Sequence, residues 1–279
     1  IIINTCAFIE DAKKESIEII LDAVEEKKNG QIGKIIVMGY ISERYKNELP
    51  AEIPEVDYYF GVKNLQNILE TLNNSPDQTE LTKRYLTTPS HYAYLKISEG
   101  CNKKCSFCAI PLIRGKHISK PVDQLIEEAS SLADQGVKEL ILIAQDTTYY
   151  GYDLYGKQKL PFLLEKLALL EKFEWLRLHY TYPVNFPLEI VELMKSHDTI
   201  CNYLDIPFQH ISDKVLKNMK RQISREGTLE LIKNVRKINP DIAIRTTLLT
   251  GHPGESIREF RELKEFVKSQ CFERLGVFK

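Results

Sequence analysis

Apolar and polar positions follow two rhythms along this chain. Residues 1–4 form a short apolar run, after which Ile17, Ile20, Leu21 and Val24 recur at helical spacing and define one face of a helix. Gly30 and Gly33 punctuate the chain before a buried-strand candidate at 34–39 (KIIVMG). A third strand candidate lies at 57–61 (DYYFG), and a short helix at 64–72. Strand, helix and strand in this order predict a small α/β unit with a parallel sheet. Residues 73–92 are polar, hold two prolines and read as a linker.

Beyond residue 92 the rhythm becomes regular. Apolar, β-branched runs fall at 94–100, 139–146, 175–181, 203–208, 243–251 and 272–278. Helical stretches separate them, the clearest carrying Val122, Leu125, Ile126, Ala129, Leu132 and Ala133 in one stripe; others lie at 161–171, 187–196, 226–238 and 256–270. Six strands alternating with helices predict a parallel sheet with right-handed crossovers. A closed eight-fold barrel takes ~250 residues. The shorter 93–279 stretch suits a partial (β/α)6 TIM-like barrel, an α/β fold with its chemistry at the C-terminal strand ends.

Composition narrows the function. The 279 residues are 43% hydrophobic and 28% charged, an ordinary globular balance that excludes a disordered chain. With 38 basic against 39 acidic residues, the formal charge of -1 argues against a dedicated nucleic-acid-binding module. No stretch approaches the ~18–20 apolar residues of a membrane span, and no basic leader precedes the first strand; a cytoplasmic protein is expected. Six cysteines are too few for a disulfide scaffold, yet three of them fall at 101, 105 and 108. Clustering of that kind points to metal or redox chemistry.

The motif Cys101-Asn102-Lys103-Lys104-Cys105-Ser106-Phe107-Cys108 directly follows the first strand of the repeating domain. A structural zinc site wants four ligands, and a cubic iron–sulfur cluster usually has four thiolates. Three cysteines leave one iron of such a cluster open to a small molecule. The competing reading is zinc, with a fourth ligand from His117 or Cys201. A mere group of buried cysteines fits less well, because Lys103, Lys104 and Ser106 make the loop polar.

A CxxxCxxC after the first strand of a β/α repeat resembles the radical S-adenosylmethionine (SAM) enzymes. Residues 98–121 (SEGCNKKCSFCAIPLIRGKHISKP) resemble their methylthiotransferase branch, as do residues 4–18 (NTCAFIEDAKKESIE). Residues 144–156 (AQDTTYYGYDLYG), 178–183 (LHYTYP) and 203–221 (YLDIPFQHISDKVLKNMKR) are similar to the RimO-type subgroup, which methylthiolates an aspartate of small-subunit ribosomal protein twelve. The sister enzymes, which methylthiolate an adenosine of transfer RNA, read GQN and QSGS where this chain has Ala144-Gln145-Asp146 and Gln209-His210-Ile211-Ser212.

The resemblance implies a [4Fe-4S] cluster on Cys101, Cys105 and Cys108, with SAM on the open iron as source of a 5′-deoxyadenosyl radical. It implies SAM-side roles for Phe107, Gln145, Asp146, Gln209 and Arg245. Bland alternatives stand beside these roles: turn capping by Gln145 and Asp146, loop packing by Phe107, an ion pair for Arg245. Asp205, Gln209 and His210 follow the fourth strand of this domain; the aspartate and histidine are candidates for acid–base work at the mouth of the site, with a hydrogen-bonded structural cluster as the equal alternative. The turn at 250–256 opens a helix, where anions and polar ligands bind, and has His252 where the family has phenylalanine. Lys103, Lys104, Arg114, Lys116, His117 and Lys120 form a basic rim suited to a flavodoxin- or ferredoxin-like electron donor. The expected domains are 1–72, an N-terminal methylthiotransferase domain lacking its beginning; 73–92, the linker; and 93–279, the radical SAM core, without the family's C-terminal TRAM-type β-barrel. Cys6 matches one of three ligands to a second, auxiliary [4Fe-4S] cluster. Tyr40 stands where the pattern has another of those cysteines, which puts that cluster in question and implies poor sulfur transfer. A non-catalytic zinc or iron–sulfur scaffold is the reading from a different class.

Overall fold

The computed structural model describes residues 1–72, 84–270 and 272–279. The chain divides into two compact units: Ile1–Arg84 with Cys108–Gly115, and Tyr85–Phe107 with Lys116–Lys279.

The first unit contains β1 (Ile2–Thr5), α1 (Glu10–Lys28), β2 (Ile36–Gly39), α2 (Tyr40–Arg44), α3 (Leu49–Glu52), β3 (Tyr58–Phe60), α4 (Leu65–Thr71) and α5 (Ile110–Ile113). Its three strands are parallel in the order β1-β2-β3, with Ile3 opposite Val37 and Val37 opposite Tyr59. Helix α1 buries Ile20, Ala23 and Val24 against Ile3, Ile35 and Val37. The buried face differs by a fraction of a turn from the one the periodicity predicts. Leu21 is exposed, while Ser16 turns inward, where its hydroxyl accepts from the Cys6 backbone N–H (3.0 Å). That bond ties the turn after β1 to the helix. The close approach of β1 to β2 requires Gly39: a Cβ there would lie 2.6 Å from the Thr5 carbonyl oxygen, and its φ is 101°.

The second unit contains β4 (Tyr92–Lys96), β5 (Ser98–Glu99), β6 (Ile118–Ser119), α6 (Val122–Asp134), β7 (Glu139–Ile143), α7 (Tyr152–Tyr155), α8 (Leu160–Ala168), β8 (Trp175–Leu178), α9 (Glu189–Ser196), β9 (Tyr203–Asp205), α10 (Asp213–Asn218), α11 (Arg225–Ile238), β10 (Ala243–Leu249), α12 (Ile257–Gln270) and β11 (Arg274–Phe278). All six predicted strands are present. Parallel ladders join β4-β7-β8 and β9-β10-β11, and the Leu176–Ile200 bridge links β8 to the segment entering β9. The strands therefore neighbour one another in sequence order, as in the partial barrel expected. Leu95, Leu140, Leu142, Leu176, Leu178, Leu204 and Ile244 fill its core with Leu125, Leu163 and Ile232 of the surrounding helices.

Three strands stop sooner than their apolar runs suggest. Residues 144–146, 179–181 and 206–208 leave the ladders; the first two stretches carry polar side chains, and the third leads into Gln209 and His210. The antiparallel β5–β6 pair and the short helices α7 and α10 have no counterpart in the sequence reading. Residues 73–83 of the expected linker lie outside the described residues, and Tyr92, counted with the linker, opens β4 instead. Among the described residues no helix is long and apolar enough to cross a membrane.

Candidate active site

The cysteine loop starts where β5 ends. Gly100, at φ 78°, turns the chain into Cys101. The Cys101 Sγ accepts from the Lys103 backbone N–H at 3.4 Å. Cys105 is buried, and its Sγ accepts from Arg221 Nη1 at 3.6 Å. The Ser106 N–H donates to the Met219 carbonyl at 3.1 Å, which fixes this part of the loop to the turn after α10. Cys108 is half-buried and belongs to the stretch assigned to the first unit. None of these cysteines is in a disulfide. Among the described residues, no three Cys, His, Asp or Glu side chains converge on one ion's position. Two of the thiols, those of Cys101 and Cys105, are distinguished instead by hydrogen-bond donors at sulfur.

Tyr182 lies between two cations. Lys103 Nζ is 4.4 Å from its ring centroid and the Arg221 guanidinium 4.3 Å. Its hydroxyl donates to the Arg221 carbonyl at 2.9 Å, and burial pushes the phenol well above its ordinary value. Lys103 is thus turned inward, 3.8 Å from Asp146, and is no part of a surface rim. His117 is buried too: its Nε2 meets Ser119 Oγ at 3.1 Å and its ring packs on Tyr149. Lys120 pairs with Glu128, and Arg114 is engaged by Tyr40. Of the six rim candidates, only Lys104 and Lys116 are exposed.

Asp146 accepts from Thr148 Oγ1 (2.5 Å) and from the Tyr149 N–H (3.2 Å), and so caps the 3-10 turn after β7. Its neighbour Gln145 differs. The Gln145 Oε1 is buried without a hydrogen-bond partner, an arrangement that is costly until a donor arrives. Phe107 is half-buried. Gln209 has φ 70°, and its backbone bridges to Thr247 and Leu249 of β10.

Asp205 and His210 have separate partners. His210 is fully buried, accepts from the Ser212 N–H at 3.0 Å and meets Glu255 at 3.3 Å, so it braces the turn before α12. The imidazole beside Asp205 is that of His179, at 3.4 Å. Asp205 also accepts from the Tyr180 N–H (3.1 Å) and from Arg245 Nη1 (3.0 Å). Burial alone would raise its pKa. The hydrogen bonds from His179 and Tyr180 and the charges of Arg245 and His179 outweigh it and hold the carboxyl below 3.8. Arg245 thus makes the ion pair weighed for it. His252 meets Ser106 Oγ at 3.0 Å and so tethers the cysteine loop to the 250–256 turn. Arg221, Tyr182 and His179 were missed because each is remote in sequence from the motif that it serves.

In the first unit, Cys6 is half-buried at the turn after β1. The Tyr40 hydroxyl accepts from Arg114 Nε at 3.0 Å, and the guanidinium lies 4.7 Å from the ring centroid. A phenol held in this way does not complete a thiolate ligand set, and the residues of this region do not fit an auxiliary cluster.

Residues 95–267 match the Radical SAM superfamily. The chain belongs to the radical SAM superfamily. Residues 1–61 match Uncharacterized protein family UPF0004. The ribosomal protein uS12 methylthiotransferase RimO of Christiangramia forsetii is 53% identical over 278 residues, which is 100% of this chain and 62% of that protein. The protein of the same name from Bacteroides thetaiotaomicron is 52% identical over 99% of this chain and 64% of its own length. The chain thus spans a little under two thirds of the curated relatives it matches. In fold it is similar to the radical SAM methyltransferase TsrM of Kitasatospora setae (TM-score 0.69, 14% identity, 92% of this chain and 57% of that one). It is similar also to the cobalamin-dependent radical SAM enzyme OxsB (TM-score 0.66, 13% identity, 95% and 43%).

The residues present fit a radical SAM centre on two counts. The loop offers thiols alone, with hydrogen-bond donors at the sulfurs of Cys101 and Cys105. The unpartnered Gln145 oxygen, just beyond the C-terminal end of β7, is an acceptor of the kind a bound amino group would satisfy.

Proposed function

We propose that this chain is the SAM-cleaving part of a methylthiotransferase acting on the β-carbon of an aspartate in small-subunit ribosomal protein uS12. The observation that carries this reading is the similarity to enzymes of that name along the whole chain, at 52–53% identity. Cys101, Cys105 and Cys108 would hold a [4Fe-4S] cluster, which supplies the electron for reductive cleavage of SAM and hence a 5′-deoxyadenosyl radical. An unactivated methylene offers no acidic proton, so a radical route suits this substrate.

The chain's own residues divide the remaining work. Gln145 accepts a hydrogen bond from the cofactor's amino group. Arg245, held by Asp205, offers its remaining N–H groups to a carboxylate, and Gln209 lies opposite Leu248, further along the same strand. Phe107 provides an apolar face for adenine. Beside the loop, a cleft of about 780 Å³ is lined by Asn102, Lys104, Asp213, Lys217, Lys220 and Ser224. Gln145, Gln209 and Arg245 are not among its lining residues. Its three lysines suit an acidic flavodoxin- or ferredoxin-like electron donor.

The reading is tested by anaerobic reconstitution with iron and sulfide. 5′-Deoxyadenosine and methylthio product are then assayed separately, with uS12 and transfer RNA as rival substrates. SAM cleavage, with any methylthiolation confined to uS12, is expected. Methylthiolation of transfer RNA alone overturns the substrate, and absence of SAM cleavage overturns the activity.

A further inference from the structure

Arg221 occupies an unusual position for a guanidinium. It is 5% exposed, and no carboxylate pairs with it among the described residues. Its Nη2 donates to the Pro207 carbonyl at 2.5 Å, its Nη1 to Cys105 Sγ at 3.6 Å, and its Nε is buried without a partner. The ring of Tyr182 covers one face at 4.3 Å, and the Tyr182 hydroxyl holds the Arg221 backbone carbonyl. A buried cation with only neutral partners is expensive. The one group within its reach that gains negative charge on binding a metal centre is the Cys105 sulfur.

We propose that Arg221 is a positioning residue that sets the reduction potential of the cluster at Cys101, Cys105 and Cys108, and the inference rests on the radical SAM reading of that loop. One-electron reduction of the cluster from the 2+ to the 1+ state, with dithionite as the electron source, adds one negative charge next to the buried guanidinium. Arg221 stabilises that charge by Coulomb attraction and by its hydrogen bond to sulfur, two of the factors that set such potentials. Its immobilisation matters, because a guanidinium already in place needs no reorganisation when the charge arrives.

The test compares the reconstituted wild-type chain with Arg221→Gln, Arg221→Met and Arg221→Lys. Cluster content is read from iron and acid-labile sulfide, and the reduced fraction from the EPR signal in a mediated dithionite titration. Both neutral variants should load the cluster, and their ratio of reduced to oxidised cluster at a fixed potential should fall at least tenfold. For a one-electron couple that is a midpoint about 59 mV lower. Arg221→Lys should stay within threefold of wild type. Two neutral substitutions are included so that misfolding of one leaves the other to decide. Loaded neutral variants with a wild-type midpoint overturn the role of Arg221 and leave the radical SAM reading standing. A wild-type chain that assembles no cluster overturns that reading, and this inference with it.

Discussion

Two regions of this molecule bring a guanidinium to a side-chain acceptor atom, the sulfur of Cys105 in one and the phenol of Tyr40 in the other. In the second unit, Arg221 donates to the sulfur of Cys105, inside a loop whose thiols are intact. In the first unit, Arg114 donates to the phenol oxygen of Tyr40. The local physics is alike: a cation, an aromatic face and an acceptor atom. The difference in outcome comes from the acceptor. A thiolate can pass into a metal centre and keep its hydrogen bond, whereas a phenol forms a closed structural contact.

Cys105→Ala should have the largest effect. It should abolish cluster assembly and reduce 5′-deoxyadenosine formation to background, measured by iron content and product chromatography; a variant that still cleaves SAM would refute the ligand assignment. Tyr40→Cys should act less strongly. The wild-type chain is expected to load one cluster's worth of iron and sulfide, and the new thiol to leave SAM cleavage unchanged. Two clusters in wild type would refute the contrast between the regions. Smaller again is Tyr40→Leu, which removes a ring–cation contact worth about 0.5–1 kcal/mol and a hydrogen bond worth about 0.5–1.5 kcal/mol. Urea denaturation should reveal a loss of about 1–2.5 kcal/mol in the first unit, with the cluster at the cysteine loop unaffected.

Acid sensitivity separates the units more gently. All six histidines lie in the second unit. Burial lowers His117 and His210 below the ordinary imidazole value of 6.5, in His210 against the opposing pull of Glu255. In that range the unfolded chain binds the proton more readily, so their contribution to stability is complete above pH 6.5 and declines as pH falls. Asp205, held below 3.8, loses its contribution only under that value. Hydrogen exchange should therefore show the second unit loosening before the first as pH falls below about 6.5, and His210→Gln should flatten that slope.

The barrel was legible in two ways: β7 is buried along its length and reads as the continuous apolar run ELILI, while β4 and β10 bury alternate residues, the period of a strand with one inward face. The cysteine loop was legible because its ligands are local in sequence. The surroundings of the thiols were not. Arg221 reaches Cys105 across 116 positions, and nothing in KNMKR distinguishes a buried arginine from a solvated one. The separate partners of Asp205 and His210 were not legible for a related reason. Residues 206–208 leave the ladder after β9, and Gln209 takes a left-handed conformation. His210 then meets Glu255, and His179, from the loop after β8, takes the place beside Asp205. Side-chain direction beyond a strand end depends on where the ladder stops, which hydrophobic pattern alone does not fix.

Mössbauer spectroscopy of the anaerobically reconstituted chain, with and without SAM, tests the central claim most directly. The account predicts a cubane in which one iron differs from the other three, and in which that iron alone responds to added SAM. Zinc without acid-labile sulfide, or a cubane indifferent to SAM, would contradict it.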